Sequence, residues 1–263
     1  MLSDVHGNRH ALEAVLADGL DRGVERWWAL GDLVAIGPDP VGTLEVLASV
    51  PRLEATRGNT ERYVLTGDRP SPTADDVRAD VSQLDLMRAI EGSFSWTRGA
   101  LAGPGWLAWL DELPLERRLD LEDGTTVLGV HGSPGRDDGA GITPHRPDAE
   151  LADALAPGRS DVVIAGHTHQ PTDRVVSGIR ALNGGSVGNP MTDDLRASYL
   201  IVHGDRHGHA VEHRRVGYDT DAFLRAVAAS SHPERDHIAS FARGEQVRWQ
   251  SRRPGAPVVA GAP

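Results

Sequence analysis

Apolar positions along this chain fall into short runs separated by helical patterns, the rhythm of alternating strands and helices. Asn8 to about Arg22 carries Ala11, Leu12, Val15 and Leu16 at helical spacing, with Asn8 suited to cap the first turn and Gly23 to end it. Val24 to Leu30 reads as a buried strand whose adjacent Trp27 and Trp28 serve core and edge packing. A helix from about Val41 to Ala48 and a strand over Arg52 to Thr56 follow. With Met1 to Ser3 as the end of a strand, these make a β-α-β-α-β start, which calls for right-handed crossovers and helices on the sheet faces. So short a first strand leads us to expect the true start upstream of Met1.

The stretch between Asn59 and His131 is too long for a plain connection. Glu61 to Leu65 begins a helix, Gly67 to Pro72 is a loop, and helices are expected near Asp75 to Ile90 and Trp106 to Asp111. Phe94, Trp96, Trp106, Trp109 and Leu110 give this segment unusual apolar bulk. It reads as a helical cap over about residues 67–115, whose aromatics either pack on the domain or meet an apolar or base-like substrate group.

Leu115 to Leu121 and Thr125 to Val130 form a hairpin around Glu122-Asp123-Gly124. A helix over Asp148 to Leu155 and a strand over Val162 to Ala165 come next. Short strands near Arg174 to Val176 and Ile179 to Leu182 lead to a Gly-rich loop, Asn183 to Pro190. Tyr199 to His203 and His209 to Val216 pair across Gly204-Asp205 in a second, more antiparallel sheet, and Asp221 to Ala229 is a helix. We therefore expect an α/β domain over residues 1–230 and an extension over 231–263, disordered beyond about Arg252.

Composition narrows the possibilities. The 263 residues hold no cysteine, which removes disulfides, thiolate nucleophiles and zinc-thiolate sites together. A net charge of −11 makes a broad grip on nucleic-acid backbone an unpromising role and argues against a polymer-binding module, although a local basic patch or a bound metal pair could still handle a small phosphate ester. No run approaches the roughly 20 apolar residues that cross a bilayer, so no membrane partner is expected and the cytoplasm is the expected location. The oligomeric state is left open.

Five strand endings deliver metal-type ligands into Gly-marked loops. They are Asp4-Val5-His6-Gly7, Gly31-Asp32, Gly58-Asn59, His131-Gly132 and Gly166-His167-Thr168-His169. In extended backbone Asp4 and His6 would point the same way and could grip one object. Carboxylate oxygen and imidazole nitrogen suit hard or borderline divalent ions, and two ions about 3.5–4 Å apart can clamp a phosphoryl group. Asp32 has two oxygens that could serve both ions.

This set, in this order, resembles the calcineurin-like metallophosphoesterases over about Leu2 to Tyr199. Gly58-Asn59-Thr60-Glu61-Arg62-Tyr63 and Asn183-Gly184-Gly185-Ser186-Val187-Gly188 are similar to small bacterial members described as phosphodiesterases or phosphatases. The resemblance implies a four-layer α/β/β/α sandwich of two mixed sheets flanked by helices, and two divalent metal ions (Mn, Fe, Zn or similar). Together with ligand type and spacing it implies Asp4, His6 and His169 on one ion, Asn59, His131 and His167 on the other, and Asp32 across both. Asn59 and His131 are expected to serve catalysis as well, Asn59 by keeping an N–H for a phosphate oxygen.

The expected reaction is in-line hydrolysis of phosphate esters, chiefly diesters, by a hydroxide bridging the ions. Many family members carry His after Gly-Asn, where this chain has Thr60, so a bias toward leaving groups needing little protonation is expected. His145 is the nearest replacement acid by sequence, Arg57 a phosphate clamp or a structural ion pair, and Asn183 and Ser186 supports for the ligand loops. The alternatives are a phosphoprotein or dinucleoside polyphosphate phosphatase, and a non-catalytic interaction scaffold.

Overall fold

A computed structural model describes residues 1–103 and 105–245. Helix α1 (Arg9–Asp21) starts where the Asn8 side chain accepts the Ala11 N–H at 3.1 Å, and it buries Leu12, Val15 and Leu16. Strand β1 (Trp27–Leu30) is buried throughout and pairs in parallel with β2 (Leu53–Thr56), the two being linked by α2 (Pro40–Ser49). The Asp39 side chain accepts the Gly42 N–H, and Pro40 fits the first helical position where no donor is needed.

Residues 1 and 2 do the work of a strand although they are too few to be one. Leu2 bridges Ala29 in parallel, donating to the Trp28 carbonyl and accepting from the Leu30 N–H, each at 2.8 Å. On its other side Met1 exchanges hydrogen bonds with Leu200 of β8 (Ala197–Asp205), which pairs antiparallel with β9 (Gly208–Val216). Two backbone units thus stitch β1 and β2 to β8 and β9.

The larger sheet is mixed. Its strands are β3 (Glu116–Asp120), β4 (Thr126–Val130), β5 (Val162–Ala165), β6 (Thr172–Val176) and β7 (Ile179–Asn183), in the order β3-β4-β5-β7-β6. The central β4, β5 and β7 run parallel, and the edges β3 and β6 run antiparallel to their neighbours. Helix α7 (Asp148–Leu155) connects β4 to β5.

Period-two alternation assigns the faces. Ala29 turns to a cluster with Leu12, Val15, Leu44 and Leu47 of α1 and α2, while Trp28 and Leu30 turn the other way to meet Val127, Ile164, Leu182 and Leu200. Leu128 and Val163, one position along from those contacts, pack instead with Leu151 and Leu155 of α7. The first chain-terminal strand residues, β1, β2, β4 and β5 all release their polar side chains at their carboxyl ends, the usual crevice for a ligand in α/β sheets.

Between β2 and β3 stand α3 (Asn59–Thr66), α4 (Ala74–Ala79), α5 (Leu84–Ala100) and α6 (Trp106–Asp111). The continuous helix expected near Asp75 to Ile90 is broken at Asp80, which is extended and turns its carboxylate onto the Ser82 N–H and hydroxyl. That local bond competes with the helical ladder, and a new helix then runs on to Ala100. Trp106 and Trp109 stack edge to face and pack on the main core.

After α8 (Thr220–Ala229) comes α9 (Arg235–Ala242), a helix not foreseen in the sequence. Its Ile238 and Phe241 join Phe223 and Val227 of α8 in a small core. The tail beyond Arg252 lies outside the described residues. Among the described residues no helix is long and apolar enough to cross a membrane.

Ile164 sits between the sheets and is 1 % exposed, whereas Val175 on edge strand β6 is 66 % exposed. Ile164→Ala is expected to cost about 2–5 kcal/mol and Val175→Ala less than about 0.5 kcal/mol, measured by urea denaturation.

Candidate metal centre

The loops that carry the polar side chains are bent into an uncommon backbone region. Asp4, His6, Asp32, His167 and His169 all have positive φ, between 49° and 70°, where L side chains crowd the following carbonyl. The extended pairing expected for Asp4 and His6 is therefore wrong. Both residues instead lie in a tight loop held by the Asp4 N–H on Gly31 and the His6 N–H on Asp32. They still converge, because the curled backbone aims both at His169.

The distances define one cluster. His169 Nε2 lies 3.2 Å from Asp4 Oδ1 and 3.2 Å from His6 Nε2. Asp32 stands between two sides, with Oδ2 3.8 Å from His6 Nε2 and Oδ1 3.2 Å from His131 Nε2. Asn59 Oδ1 lies 3.0 Å from His131 Nε2 and 2.9 Å from His167 Nδ1. All seven side chains named from the strand endings are brought together. Asp4, His6 and His169 have ligand atoms within 4.8 Å of one another, and so do Asp4, Asp32 and His131.

Each imidazole has one nitrogen tied to a backbone carbonyl. His6 Nδ1 faces Ala35 O, His131 Nδ1 faces Leu30 O, His169 Nδ1 faces Asn189 O, and His167 Nε2 faces Gly139 O. A carbonyl only accepts, so those nitrogens carry the protons and the other nitrogen of each ring turns a lone pair inward. The centre is then lined largely by acceptors, and positive charge there relieves the repulsion. Protons or cations can supply it. The donor set, buried N and O atoms with their outer nitrogens pinned, fits divalent ions of the N/O-binding kind.

The protonation equilibria of the ion-free cluster follow the same logic. Burial works against the charge on Asp32 and Asp4, but His131 beside the first and His169 beside the second outweigh it and hold both carboxyls below their ordinary range. Burial likewise opposes charge on the partners, yet Asp32 pushes His131 up to about 10, and Asp4 raises His169. For His6 and His167 burial prevails and both are lowered.

A second set of side chains holds the first in place. Buried Glu61 accepts the N–H groups of Asp32, Leu33 and Gly58 at 2.8–2.9 Å, locking two ligand loops together; burial, then the nearby Asp32 charge, raises it to about 7. Thr60 donates its hydroxyl and its N–H to Asp32 Oδ1. Asn183 donates to Gly166 O and Thr168 Oγ1, and Ser186 donates to Asp4 O while accepting the Asn189 N–H. Gly58 permits a close approach, since a Cβ there would stand 2.2 Å from Asp32 Oδ1. Glu61 and Asn189 escaped the sequence reading. A Glu three residues past a helix-opening Gly was the available signal for Glu61.

A cavity of about 410 Å³ opens above the cluster, with His6, Asp32, Asn59, His167 and His169 on its floor. Tyr63, Ile90 and Phe94 rise on one side and His232 and Ile238 of the C-terminal segment on another. Trp96, Trp106 and Trp109 do not line it. Arg57 is turned to Asp137, 3.4 Å away, and His145 is exposed and off the cavity, so neither serves there as clamp or acid. His232 takes the Glu234 N–H on Nδ1, faces Ser93 Oγ at 3.2 Å through Nε2, and meets the Trp96 ring edge to face.

Residues 1–207 match the family model described as the calcineurin-like phosphoesterase superfamily domain. The chain is 26% identical over 249 residues to the uncharacterized protein MJ0912 of Methanocaldococcus jannaschii, covering 89% of this chain and 93% of that one. Among solved structures it is similar to a metallophosphoesterase from Sphaerobacter thermophilus, with TM-score 0.68 and 25% identity over 92% of this chain and 96% of the other. It shares its fold with the hypothetical protein PH1004 from Pyrococcus horikoshii OT3, with TM-score 0.74 and 20% identity over 92% and 95% of the two chains.

Burial, then repulsion from His237, lowers His232 to about 4, so the folded state resists a proton that the unfolded chain accepts near pH 6.5. Stability from this group is full above pH 6.5 and drains away as pH falls toward 4, by about 3 kcal/mol at most. Urea midpoints measured with chelator at pH 7 and pH 4.5 should differ less for His232→Asn than for the wild type.

Proposed function

The chain belongs to the calcineurin-like phosphoesterase superfamily and is a phosphoester hydrolase, and from that premise we propose that it cleaves phosphate diesters with two divalent metal ions. The observation that carries this reading is the acceptor-lined cluster at the floor of an open cavity. A scaffold needs neither the opening nor the unbalanced lone pairs.

Asp4, His6 and His169 would hold one ion, Asn59, His131 and His167 the other, with Asp32 between them. Bound there, the ions supply Lewis-acid charge against phosphoryl oxygens and lower the pKa of the attacking water. The chain's own contribution is order. Backbone carbonyls fix four imidazole tautomers, Glu61 and Thr60 fix Asp32, and Asn59 keeps an amide N–H for a phosphate oxygen.

Thr60 bears on the leaving group. Its hydroxyl proton is already spent on Asp32, and a hydroxyl cannot deliver a proton as imidazolium does. Departure of the alcohol product therefore goes without a side-chain acid at this position, which favours phenolates and other weakly basic groups.

Two measurements follow. Purified protein with manganese should hydrolyse bis(p-nitrophenyl) phosphate and gain thermal stability, while Asp32→Ala loses the metal-induced stabilisation and at least about a hundredfold in kcat. Failure of the wild type to take up manganese, cobalt or zinc would end the proposal. Across a series of esters, the wild type should show a steep dependence of rate on leaving-group pKa, and Thr60→His should flatten it by speeding alkyl esters about tenfold or more. An equal rate for alkyl and aryl esters in the wild type would contradict the role given to Thr60.

A further inference from the structure

Above the cluster, α5 presents Leu86, Ile90 and Phe94 at successive i, i+4 positions to the cavity, one stripe along the helix. Ile36 and Tyr63 extend this surface and Ile238 of α9 faces it. Leu86 stands at the rim, 51 % exposed, and carries the stripe out to solvent. The wall is braced rather than loose, since His232 ties the C-terminal segment to Ser93 and Trp96 of α5, and Tyr63 meets Phe94 edge to face at 5.3 Å.

Charge is as informative as shape. The 27 basic residues of this chain are all arginine, and none lines the cavity among the described residues. Arg69 does not line the cavity; it lies 5.4 Å from the Phe94 ring centre, with its guanidinium engaged by Glu91 and the Tyr63 carbonyl. Arg62 is bound by Asp68, Asp137 and Asp138. The ionisable groups above the floor are Tyr63, His232, Glu234 and His237; burial keeps the Tyr63 phenol protonated, and His232 is uncharged near neutrality. A second phosphate or a carboxylate entering this space would lose water and meet no compensating cation.

We infer that this apolar wall is the subsite for an uncharged, apolar organic group of the ester, an aryl or short alkyl substituent, and that it disfavours substrates with further anionic groups. The inference rests on the phosphoesterase reading above and deepens it. Its far side, His232 to Ile238, lies beyond the residues that match the family model and comes from the C-terminal helices. Polyphosphate substrates fit this chamber poorly.

Phosphonates test the subsite cleanly, because each carries one organic group and is not hydrolysed. With the full chain loaded with manganese, titration calorimetry should show phenylphosphonate binding about tenfold or more tighter than methylphosphonate, and 3-phosphonopropionate no tighter than methylphosphonate. Ile90→Asp should erase the phenyl preference, bringing phenylphosphonate down to the affinity of methylphosphonate for the same variant. Leu86→Asp, at an exposed position that the core does not need, carries the same test if Ile90→Asp fails to fold, and should weaken the preference. Equal affinities in the wild type, tight binding of 3-phosphonopropionate, or a preference that survives both substitutions would overturn the subsite alone. If neither simple phosphonate binds the manganese-loaded protein, the phosphoesterase reading falls and takes this inference with it.

Discussion

Repulsion among hydrogen-bond acceptors organises this molecule. Two carboxylates, an amide oxygen and four inward lone pairs of imidazole meet at one centre, and four backbone carbonyls pin the outer ring nitrogens that would otherwise let the rings turn. Left to itself the cluster must take up protons, as the raised His131 and His169 show. The sheets, glycines and supporting hydrogen bonds keep these groups together against that electrostatic pressure.

The means of doing so are local and costly. Left-handed backbone at five non-glycine residues stores roughly 1–2 kcal/mol apiece, and it persists only because strand pairing on one side and side-chain buttresses on the other leave no alternative. Glu61 shows the economy of the scheme. One buried carboxylate satisfies three N–H groups from two loops, so Asp32 and Asn59 arrive in fixed relation. Thr60 completes the same bracket with its hydroxyl, a structural duty that excludes it from proton delivery.

Much of this could be read from the chain. The strand-helix alternation, the hairpin at Glu122 to Gly124 and the order of the polar strand endings are written in periodicity and Gly placement, and the structure gathers the seven side chains those endings supply. The backbone state of Asp4 and His6 was not legible, since Asp and His are enriched at positive φ only several-fold and the neighbouring strands decide which of them adopt it. The break at Asp80 turns on one side-chain hydrogen bond that competes with a helical pattern. Helix α9 hides in a polar, Arg-rich stretch because Ile238 and Phe241 become apolar signals only once α8 is there to receive them. Of the aromatics in the segment before β3, Phe94 lines the cavity, while Trp106 and Trp109 pack on the main core.

Met1 and Leu2 join the two halves of a sheet, and Leu200, the partner of Met1, is 199 positions away. A ribosome finishing β7 has already released nearly every group of the cluster, yet the strand that anchors Asp4 still lacks one neighbour. Closure awaits β8, and such long-range pairing is intrinsically slow. The nascent protein therefore carries its centre half-framed until late in synthesis, and substitutions in β8, far from any ligand, are placed to impair maturation more than turnover.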